Sequence, residues 1–447
     1  MEAVLGELES NSRLLDYGAF KESSKLERFY VEGNNLVRIL AVPNLSHRQF
    51  IDLEGMEITY DGKDLRKLWW LSRIRGMKPQ SLDQRSKASI TMVDMFSGCG
   101  GFTAGIKWAC DGFGFQTKVL VASDIFETAL SVYRKNHKPR RIIQENVANL
   151  VDYSGDGEKL LEIVLIEKSL ERIIGGVDFF IAGPPCEGNS NLNNITRRID
   201  NRNELYVSAV AIAIALQSKV VIIENVPEVS SADQRVIERS RKTLELAGYS
   251  LPVDDLTLDA SRYGTAQTRR RHFTLAVKGK KNIPLDLLEE MQCEPISTME
   301  AIGDLLGIEP FGDFDKPSEV SAENLKRIEY LFDNKIYHLP ASERPECHDE
   351  DNTYPSNYGR MYPDLPSQTL STGFLSPGRG RYIHPVARRC LTPHEGARIQ
   401  GFPDDYLFEF ANGEEIARTH MAKLIGDAVP PQLAYLVGLL GMRSLLS

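Results

Sequence analysis

The sequence predicts an α/β fold with a doubly wound, Rossmann-like mixed sheet, and three apolar runs carry this prediction. Residues 177–182, 220–223 and 90–95 are short and rich in β-branched and aromatic side chains, as expected for strands that are buried on both faces of a parallel sheet. A glycine-rich turn and a helix-like stretch, residues 103–108, follow the third run. In such open sheets, ligands bind at the carboxyl ends of the strands.

Two chemically active side chains follow the first two strands. Cys186 comes directly after Pro184 and Pro185, which restrict the backbone, and Glu224 directly follows the run 220–223. Both side chains are therefore expected at the same edge of the sheet. A lone cysteine beside prolines is more often structural, but an acid at a second strand end favours a catalytic pair.

The third strand begins a half-domain that is typical of nucleoside binding. Gly98, Gly100 and Gly101 let the backbone approach a ligand where a helix N-terminus offers free N–H groups. The next apolar run, residues 119–122, is followed by Asp124, at the spacing where doubly wound folds place an acid on a ribose hydroxyl. A glycine-rich turn alone is weak evidence, but the order of strand, turn, helix, strand and acid strengthens it.

From about residue 90 to its C-terminus the chain resembles the C5-cytosine-specific DNA methyltransferases, which use S-adenosylmethionine. Their motifs occur here in the family's order: Phe96-x-Gly98-x-Gly100, Asp124 with Ala129, Tyr133 and Asn136, Pro184-Pro185-Cys186, Arg202-Asn203 with Leu205, Glu224-Asn225-Val226, Gln267-x-Arg269-x-Arg271, Pro366-Ser367-x-Thr369, Arg398 to Pro403, and Gly426 to Pro431. The resemblance implies a class I methyltransferase fold with a smaller target-recognition domain.

The resemblance also implies roles for individual residues. Cys186 would attack C6 of cytosine, Glu224 would hydrogen-bond N3 and the exocyclic amine, Arg271 and Arg269 would bind O2 of the base or a phosphate, and Asn225 would orient the loop that carries Glu224. The methyl donor would contact Phe96, Ser97, Gly98, Gly100, Gly101, Asp124, Ile125, Asn146, Val147, Pro184, Leu205, Asp427, Ala428 and Val429. Double-stranded DNA would contact Ser190, Arg197, Arg198, Arg202, Gln267, Arg379 and Arg381.

The implied reaction agrees with the chemistry of these side chains. Carbon 5 of cytosine is too weak a nucleophile to accept a methyl group unaided, so a thiolate must first add at C6. An acid with a raised pKa suits the protonation of N3 that accompanies this addition. The stacked base must be flipped out of the duplex first. Residues 187–203 are polar and carry arginines, which suits a loop that closes over DNA.

Several positions depart from the family pattern. Residues 145–147, Glu-Asn-Val, stand where Gly-Asp-Ile is usual, although Asn146 can still accept a hydrogen bond from the adenine amine. Glu187 stands where glutamine is usual, Asn189 replaces an aromatic residue, and Asp427 replaces asparagine in the element Gly-Asn-x-Val-Pro. Each change leaves the thiol and the acid in place, but a tuned preference for the methyl donor or a reduced rate stays open. Two alternatives also stay open: an RNA cytosine-5 methyltransferase, and a catalytically damped DNA-binding regulator.

Composition limits the partners and the compartment. The net charge is −9, so DNA binding requires local basic clusters. Six cysteines are scattered without Cys-x-x-Cys pairs, which favours reduced thiols and argues against a zinc site. No uninterrupted apolar run of about eighteen residues and no signal peptide occur. We therefore expect a cytoplasmic, nucleoid-associated protein that does not bind a membrane. A cognate restriction endonuclease is a candidate partner.

Three domains are expected. Residues 1–89 form an N-terminal module of unknown role, with strands at 35–42, 50–53 and 56–60 and a helix at 65–74. Residues 62–90 contain eight Lys or Arg against two acids, so this stretch either contacts DNA or docks Trp69 and Trp70 on the core. The other units are a catalytic domain, 90–283 completed by 417–447, and a recognition domain, 284–416, with a glycine-bearing hairpin predicted at 373–384.

Overall fold

The structure is a computed structural model that describes residues 26–55, 64–154, 161–185, 203–227, 236–254, 256–279, 283, 285–345 and 356–446. Several predicted features lie outside the described residues. They are the strand 56–60 and the side chains of Cys186, Glu187, Asn189, Ser190, Arg197, Arg198 and Arg202.

The N-terminal part forms an antiparallel sheet and one helix. The order of its strands is β1–β2–β3–β4, and the helix α1 has the bounds that its sequence predicts. Asp64 caps α1 by accepting hydrogen bonds from two backbone N–H groups in the first turn. The elements are β1 (Glu27–Glu32), β2 (Asn35–Val42), β3 (Leu45–Asp52), α1 (Leu65–Ile74) and β4 (Gln80–Ser81).

The central sheet confirms the predicted α/β fold class. Its strand order is β12–β15–β11–β10–β5–β6–β7, with β13 also beside β15; β8 pairs with β9, and β14 pairs with β16. The strands are β5 (Ser89–Met95), β6 (Gln116–Asp124), β7 (Arg141–Gln144), β8 (Val151–Ser154), β9 (Glu162–Leu165), β10 (Phe179–Ala182), β11 (Val220–Asn225), β12 (Tyr249–Ser250), β13 (Leu256–Asp259), β14 (Gln267–Thr268), β15 (Arg270–Lys278) and β16 (Ser367–Gln368).

The direction of the chain through the sheet creates a binding crevice. Strands β6 and β7 follow β5 on one side, and β10 and β11 lie on its other side, all parallel to one another. The order reverses between β5 and β10, so the loops after these two strands diverge. Such a switch point opens a crevice at the carboxyl ends of the strands. Strand β15 runs antiparallel to β11, with Glu224 opposite Phe273.

Helices cover both faces of the sheet because successive residues of its strands point to opposite sides. Met92 belongs to one hydrophobic core, with α2 and α12, and its neighbour Val93 belongs to the other, with α5 and α6. The further helices are α2 (Gly101–Gly112), α3 (Glu127–His137), α4 (Lys168–Glu171), α5 (Asn203–Ala215), α6 (Val236–Leu246), α7 (Leu287–Glu290), α8 (Thr298–Ile302), α9 (Ala322–Asp333), α10 (Pro393–Gln400), α11 (Arg418–Asp427) and α12 (Pro431–Leu446).

The N-terminal sheet shares its core with the catalytic domain. The buried Glu27 carboxylate accepts hydrogen bonds from the Tyr435 hydroxyl of α12 at 2.6 Å and from Arg66 of α1 at 2.8 Å. Arg38 of β2 donates to the same Tyr435 oxygen at 2.8 Å, and its guanidinium lies 4.4 Å from the centre of the Trp69 ring. A buried network of charged and aromatic groups therefore joins the two parts.

The basic stretch after Gly62 is largely used within the chain. Trp70 packs edge-on against Tyr435, with 5.1 Å between ring centres. Ion pairs connect the stretch to neighbouring elements: Lys67 to Glu300, Arg75 to Asp304, Lys78 to Asp405, and Arg85 to Asp111. Of the two alternatives for this stretch, these contacts favour docking on the core over DNA contact.

The predicted recognition domain contains a small core of its own. Ile328, Leu331, Leu339, Tyr358 and Ile383 form this cluster, which is separate from the two cores of the central sheet. The boundaries at 284 and 416 stay a prediction. The hairpin predicted at 373–384 is wrong: the chain there makes turns and a short 3-10 helix, and residue 383 bridges 360 and 390.

The C-terminal stretch qualifies the expectation about apolar runs. Among the described residues, Arg418–Leu446 is long and apolar enough to cross a membrane by length and composition alone. Buried residues make up 83% of its most apolar window. It therefore has the burial of a core helix of the fold.

Candidate active site

The glycine-rich turn after β5 has a left-handed backbone at Phe96, Gly98 and Gly100, with φ of 57°, 51° and 98°. The Gly98 N–H donates to an Asp124 carboxylate oxygen at 2.8 Å. A Cβ atom on Gly98 would meet nothing within 4 Å, whereas one on Gly101 would lie 2.5 Å from the Val429 carbonyl oxygen. The turn is thus open at Gly98 and closely packed at Gly101.

Three predicted contacts of the methyl donor follow the neighbouring strands β6 and β7. Asp124 also accepts a hydrogen bond from the Phe126 N–H at 2.9 Å, and burial raises the pKa of its carboxyl. Ile125 is 70% exposed, so its apolar side chain is open to solvent directly after β6. Asn146 is exposed and caps the turn that begins at the buried Val147. An apolar surface, an amide and a carboxylate thus flank this edge.

The loops around Gly183 bring the two sides of the crevice together. A Cβ atom on Gly183 would lie 3.7 Å from a Glu224 oxygen and 3.9 Å from both the Phe96 carbonyl oxygen and a Val429 methyl group. Pro184 is buried next to it, and Leu205, on α5, is half-buried. The glycine-rich turn and the predicted catalytic acid therefore border one space.

These residues fit S-adenosylmethionine. Open space lies over Gly98, and the buried Ser97 hydroxyl has no hydrogen-bond partner among the described residues. Ala428 and Val429 close the far side, each 9% exposed. Asp427, which adds a negative charge where the family has asparagine, forms an ion pair with Lys423 at 2.6 Å, so its charge is partly neutralised.

Glu224 lies at the end of β11 and pairs with Arg271 on the neighbouring strand β15. The distance from Arg271 Nε to a Glu224 carboxylate oxygen is 2.8 Å, and both side chains are largely buried. Burial raises the pKa of Glu224, while Arg271 and Arg269 lower it. The net shift is upward, so this carboxyl holds a proton more readily than an exposed one.

Asn225 connects the acid to the loop that leads towards Cys186. Its amide nitrogen lies 3.4 Å from the Pro184 carbonyl oxygen, and its amide oxygen accepts from the Val226 N–H at 2.8 Å. The side chain is 3% exposed. Asn225 therefore links the loops after β10 and β11, as an orienting residue should.

Gln267 and Arg269 are buried and bonded to other parts of the chain, an arrangement that does not agree with their predicted contacts to DNA and to the target base. Gln267 is fully buried and its amide binds Gln400 at 2.6 Å and the Leu370 N–H at 2.9 Å, so it does not face DNA as predicted. Arg269 is 3% exposed and donates to the carbonyls of Leu370 and Gly426. Its charge lowers the pKa of Glu224, but its guanidinium is held by the protein backbone.

The two arginines near residue 380 differ in the same way. Arg381 donates to the carbonyls of Tyr337 and Arg360, both at 2.7 Å, and its guanidinium packs on the Tyr362 ring. The predicted DNA contact of Arg381 therefore does not agree with this arrangement. Arg379 is exposed and stays a candidate for phosphate contact.

Sequence reasoning missed a buried polar network beneath the glycine-rich turn. The Thr103 hydroxyl lies 2.7 Å from an Asp94 carboxylate oxygen and 2.7 Å from the Tyr133 hydroxyl. Burial raises the pKa of Asp94 to about 7. His137 and Tyr406 extend the network to the turn itself. The available signal was an acid inside an otherwise apolar strand; nothing local pointed to His137 or Tyr406.

Comparison with known proteins agrees with this geometry. The model of the C-5 cytosine-specific DNA methylase family matches residues 90–439. The chain is 37% identical over 441 residues to the Type II methyltransferase M1.BsuMI of Bacillus subtilis, and this alignment covers 94% of the chain and 96% of the relative. The Type II methyltransferase M.DdeI of Desulfomicrobium norvegicum is 28% identical, with 77% of this chain and 86% of the relative covered.

Solved structures support the fold. A putative DNA modification methyltransferase from an Escherichia coli prophage superposes with a TM-score of 0.54 at 24% identity, over 80% of this chain and 99% of that chain. The Dnmt2 methyltransferase of Schizosaccharomyces pombe gives a TM-score of 0.52 at 17% identity, over 79% and 98%. On the match over residues 90–439 and the similarity to the Bacillus relative, the chain belongs to the C-5 cytosine-specific DNA methylase family and is a DNA methyltransferase.

Proposed function

We propose that this enzyme transfers a methyl group from S-adenosylmethionine to carbon 5 of a cytosine that is flipped out of duplex DNA. The observation that carries the proposal is the buried Glu224–Arg271 pair, which borders the same space as the glycine-rich turn. An acid and a turn for the methyl donor at one switch point are what this reaction requires.

The donor site is assigned from the half of the crevice around β5 to β7. Asp124 would bind the ribose hydroxyls, since the two oxygens of a carboxylate offer about four acceptor positions and can bond a ligand beside the N–H groups of Gly98 and Phe126. Ile125 would cover one face of the adenine, and Asn146 would accept from its amine. Bound S-adenosylmethionine supplies an electrophilic methyl group on a sulfonium, which Ala428 and Val429 would shield from water.

Glu224 would act on the target base. With its pKa raised by burial, the carboxyl can hold a proton and donate it to N3, while accepting from the exocyclic amine. Arg271 keeps the carboxyl in place and offers N–H groups to O2 of the base. Asn225 fixes the position of this acid relative to the loop before the nucleophile.

Cys186 would be the nucleophile. Its thiolate adds to C6, the ring electrons move towards N3 as Glu224 protonates it, and C5 becomes nucleophilic enough to accept the methyl group. S-adenosylhomocysteine is the leaving group of the methyl transfer. A water molecule then takes the C5 proton, the C6–S bond breaks to expel the thiolate, and N3 returns its proton to Glu224, which restores the aromatic ring and frees the enzyme. Residues 187–203, with Ser190, Arg197, Arg198 and Arg202, would close over the flipped base and the phosphates.

Replacement of the nucleophile tests this mechanism. Wild-type protein is incubated with unmodified plasmid and S-adenosylmethionine, and the digested nucleosides are weighed by mass spectrometry. We expect 5-methyldeoxycytidine from the wild type and none from Cys186→Ala. Methylation by the Cys186→Ala protein would refute covalent catalysis by this residue.

Two alternatives are distinguished when transfer RNA and a duplex that contains 5-fluorocytosine are tested beside the plasmid. An RNA cytosine-5 methyltransferase would leave the plasmid unmodified but methylate transfer RNA. A damped regulator would methylate neither and would fail to be trapped by a duplex that contains 5-fluorocytosine. Glu187 motivates this alternative, whereas the pairing of Asp427 with Lys423 weakens it.

The biological setting follows from the relatives. Because the similar Bacillus and Desulfomicrobium proteins are Type II methyltransferases, we propose a restriction-modification role, with a cognate endonuclease that cuts the same DNA site. We infer that the enzyme acts in the cytoplasm, at the nucleoid, because its proposed substrate is DNA. Digestion of the methylated plasmid with a panel of nucleases would identify the protected site.

A further inference from the structure

Two buried side chains hold the carbonyl groups of the glycine-rich turn. The Tyr406 hydroxyl donates a hydrogen bond to the Cys99 carbonyl oxygen. His137 Nε2 lies 3.0 Å from the Gly100 carbonyl oxygen and 2.9 Å from the Tyr406 hydroxyl oxygen. His137 is 8% and Tyr406 is 7% exposed. Side chains from distant parts of the chain therefore supplement the turn's own backbone hydrogen bonds.

The hydrogen-bond pattern determines the tautomer of His137. A carbonyl oxygen can only accept, so the single hydroxyl proton of Tyr406 is used by Cys99. His137 Nε2 must then carry the proton that is shared between the Gly100 carbonyl and the Tyr406 oxygen. Burial lowers the pKa of His137 well below its ordinary value, so the ring is neutral. Its Nδ1 is then an unprotonated acceptor, without a hydrogen-bond partner among the described residues.

Close packing makes His137 a support for Gly100. A Cβ atom on Gly100 would lie 2.4 Å from His137 Nε2 and 2.9 Å from a Tyr133 ring carbon. The rings of Tyr133 and His137 meet edge to face, with 4.8 Å between centres. Only glycine fits at this position, and any movement of the imidazole would open space directly under the turn.

Tyr406 is itself fixed by the helix that carries His137. The Asn136 amide nitrogen donates to the Leu407 carbonyl at 2.9 Å, and the Asn136 amide oxygen accepts from the Leu407 N–H at 3.1 Å. The Tyr406 ring also packs between Phe402 and Phe408, at 4.7 Å and 5.4 Å between ring centres. The hydrogen bonds of Asn136 and the packing of the two phenylalanine rings therefore fix the position of the hydroxyl that bonds Cys99.

The turn needs such support because its backbone is not relaxed. Phe96 is a non-glycine residue in the left-handed region, which costs free energy unless neighbouring contacts hold it there. Gly98, whose N–H bonds Asp124 and whose Cα faces open space on the side where a Cβ would stand, lies between Phe96 and the two supported carbonyls. If those carbonyls turn, the orientation of this amide changes as well.

We propose that His137 and Tyr406 are positioning residues for the methyl donor, which hold the turn Phe96–Gly101 in the shape that binds it. The inference rests on the proposed function, which places S-adenosylmethionine at this turn. Neither side chain reaches the reacting atoms, so both act on the affinity for the methyl donor and leave the chemical step and DNA binding unchanged.

Tyr406→Phe is the direct test, and Tyr382→Phe is its matched control. Tyr382 is also buried, at 2% exposure, and its hydroxyl also binds backbone groups, those of Thr369 and Ser371, in the recognition domain. Calorimetric titration with S-adenosylhomocysteine, a stable product that fills the same site, measures affinity. We expect the dissociation constant for S-adenosylhomocysteine to rise three- to tenfold in Tyr406→Phe and to stay unchanged in Tyr382→Phe. Steady-state kinetics should show a raised KM for S-adenosylmethionine with kcat and the KM for DNA within twofold.

Two further variants keep the test decisive if Tyr406→Phe is poorly folded. His137→Gln retains an N–H donor near the position of Nε2, whereas His137→Leu removes it. The proposal predicts near wild-type affinity for the Gln variant and at least threefold loss for the Leu variant. Equal affinity of Tyr406→Phe and wild type, or equal loss in Tyr382→Phe, would overturn it. Absence of binding by the wild type would instead refute the proposed donor site.

Discussion

The methyl-donor half of the crevice and the target-base half are built from different kinds of contact. Around β5 to β7, backbone N–H groups, a neutral imidazole and hydroxyls hold the glycine-rich turn, while Ile125 and Asn146 stay exposed. Around β14 and β15, arginine and glutamine side chains, rather than backbone groups, make the hydrogen bonds that hold the structure together. Gln267 and Arg269 form hydrogen bonds to Gln400, Leu370 and Gly426, which connect this part of the sheet to the predicted recognition domain and to α11.

This difference shows when a sequence motif indicates a residue that contacts a ligand and when it indicates a residue that supports the fold. In the methyl-donor half, the turn and the strand ends present mainly backbone groups, so the motif residues border the open space in which the methyl donor is proposed to bind. In the target-base half, long polar side chains can bind either DNA or neighbouring carbonyls, and the sequence does not distinguish the two. Glu224 and Arg271 are the residues of this half whose buried pair faces the donor side.

The largest expected effect is on Glu224. Glu224→Gln removes the proton that N3 requires, so we expect kcat to fall by about 10² to 10⁴. Glu395→Gln is a matched control, since Glu395 is buried and pairs with Arg389 at 2.7 Å away from the crevice. Single-turnover methylation should stay near the wild-type rate in the control. A fall of less than tenfold in Glu224→Gln would show that this acid is not the proton source.

The next effect concerns the stability of the methyl-donor half. Asp94 has a pKa of about 7 in the folded state, against about 3.9 for an unfolded aspartate. Its contribution to stability is full below pH 4 and is lost as pH rises through 7, by up to about 4 kcal/mol. Asp94→Asn cannot ionise and can still accept from Thr103, so it should be more stable than the wild type above pH 7.

Urea unfolding of both proteins between pH 5 and 8 measures this difference. The free energy of unfolding of the wild type should decline more steeply with pH than that of Asp94→Asn. Parallel curves would mean that Asp94 does not change its protonation in this range.

The smallest effect separates the two kinds of arginine. Arg269→Met should lower the free energy of unfolding by about 2–4 kcal/mol, because the carbonyls of Leu370 and Gly426 lose their donor. Exposed Arg379→Met should change stability by less than about 0.5 kcal/mol. It should instead reduce the slope of log affinity for DNA against log salt by about 0.9. If Arg379→Met lowered the stability and Arg269→Met lowered the salt dependence of DNA binding, Arg379 would be the structural residue and Arg269 the phosphate contact.

Local patterns determined much of the fold. The β2 strand and the α1 helix occur with the predicted bounds, since a short run of apolar and β-branched residues and the Asp64 N-cap act on neighbouring residues only. Where the pattern was ambiguous, as at 373–384, glycines were taken for a hairpin although the chain makes irregular turns there. The predicted positions of Glu224 and Asp124 at strand ends agree with the structure because a parallel sheet aligns those ends.

The sequence by itself determined the order of strands and turns, and with it the edge at which the acid, the glycine-rich turn and the exposed Ile125 and Asn146 lie. The tertiary structure alone decided which polar side chains are free for ligands. His137 and Tyr406 are separated by 269 residues, and Arg269 and Gly426 by 157. Hydrogen bonds over such separations depend on how layers pack, and periodicity reveals that a face is buried without revealing its partner.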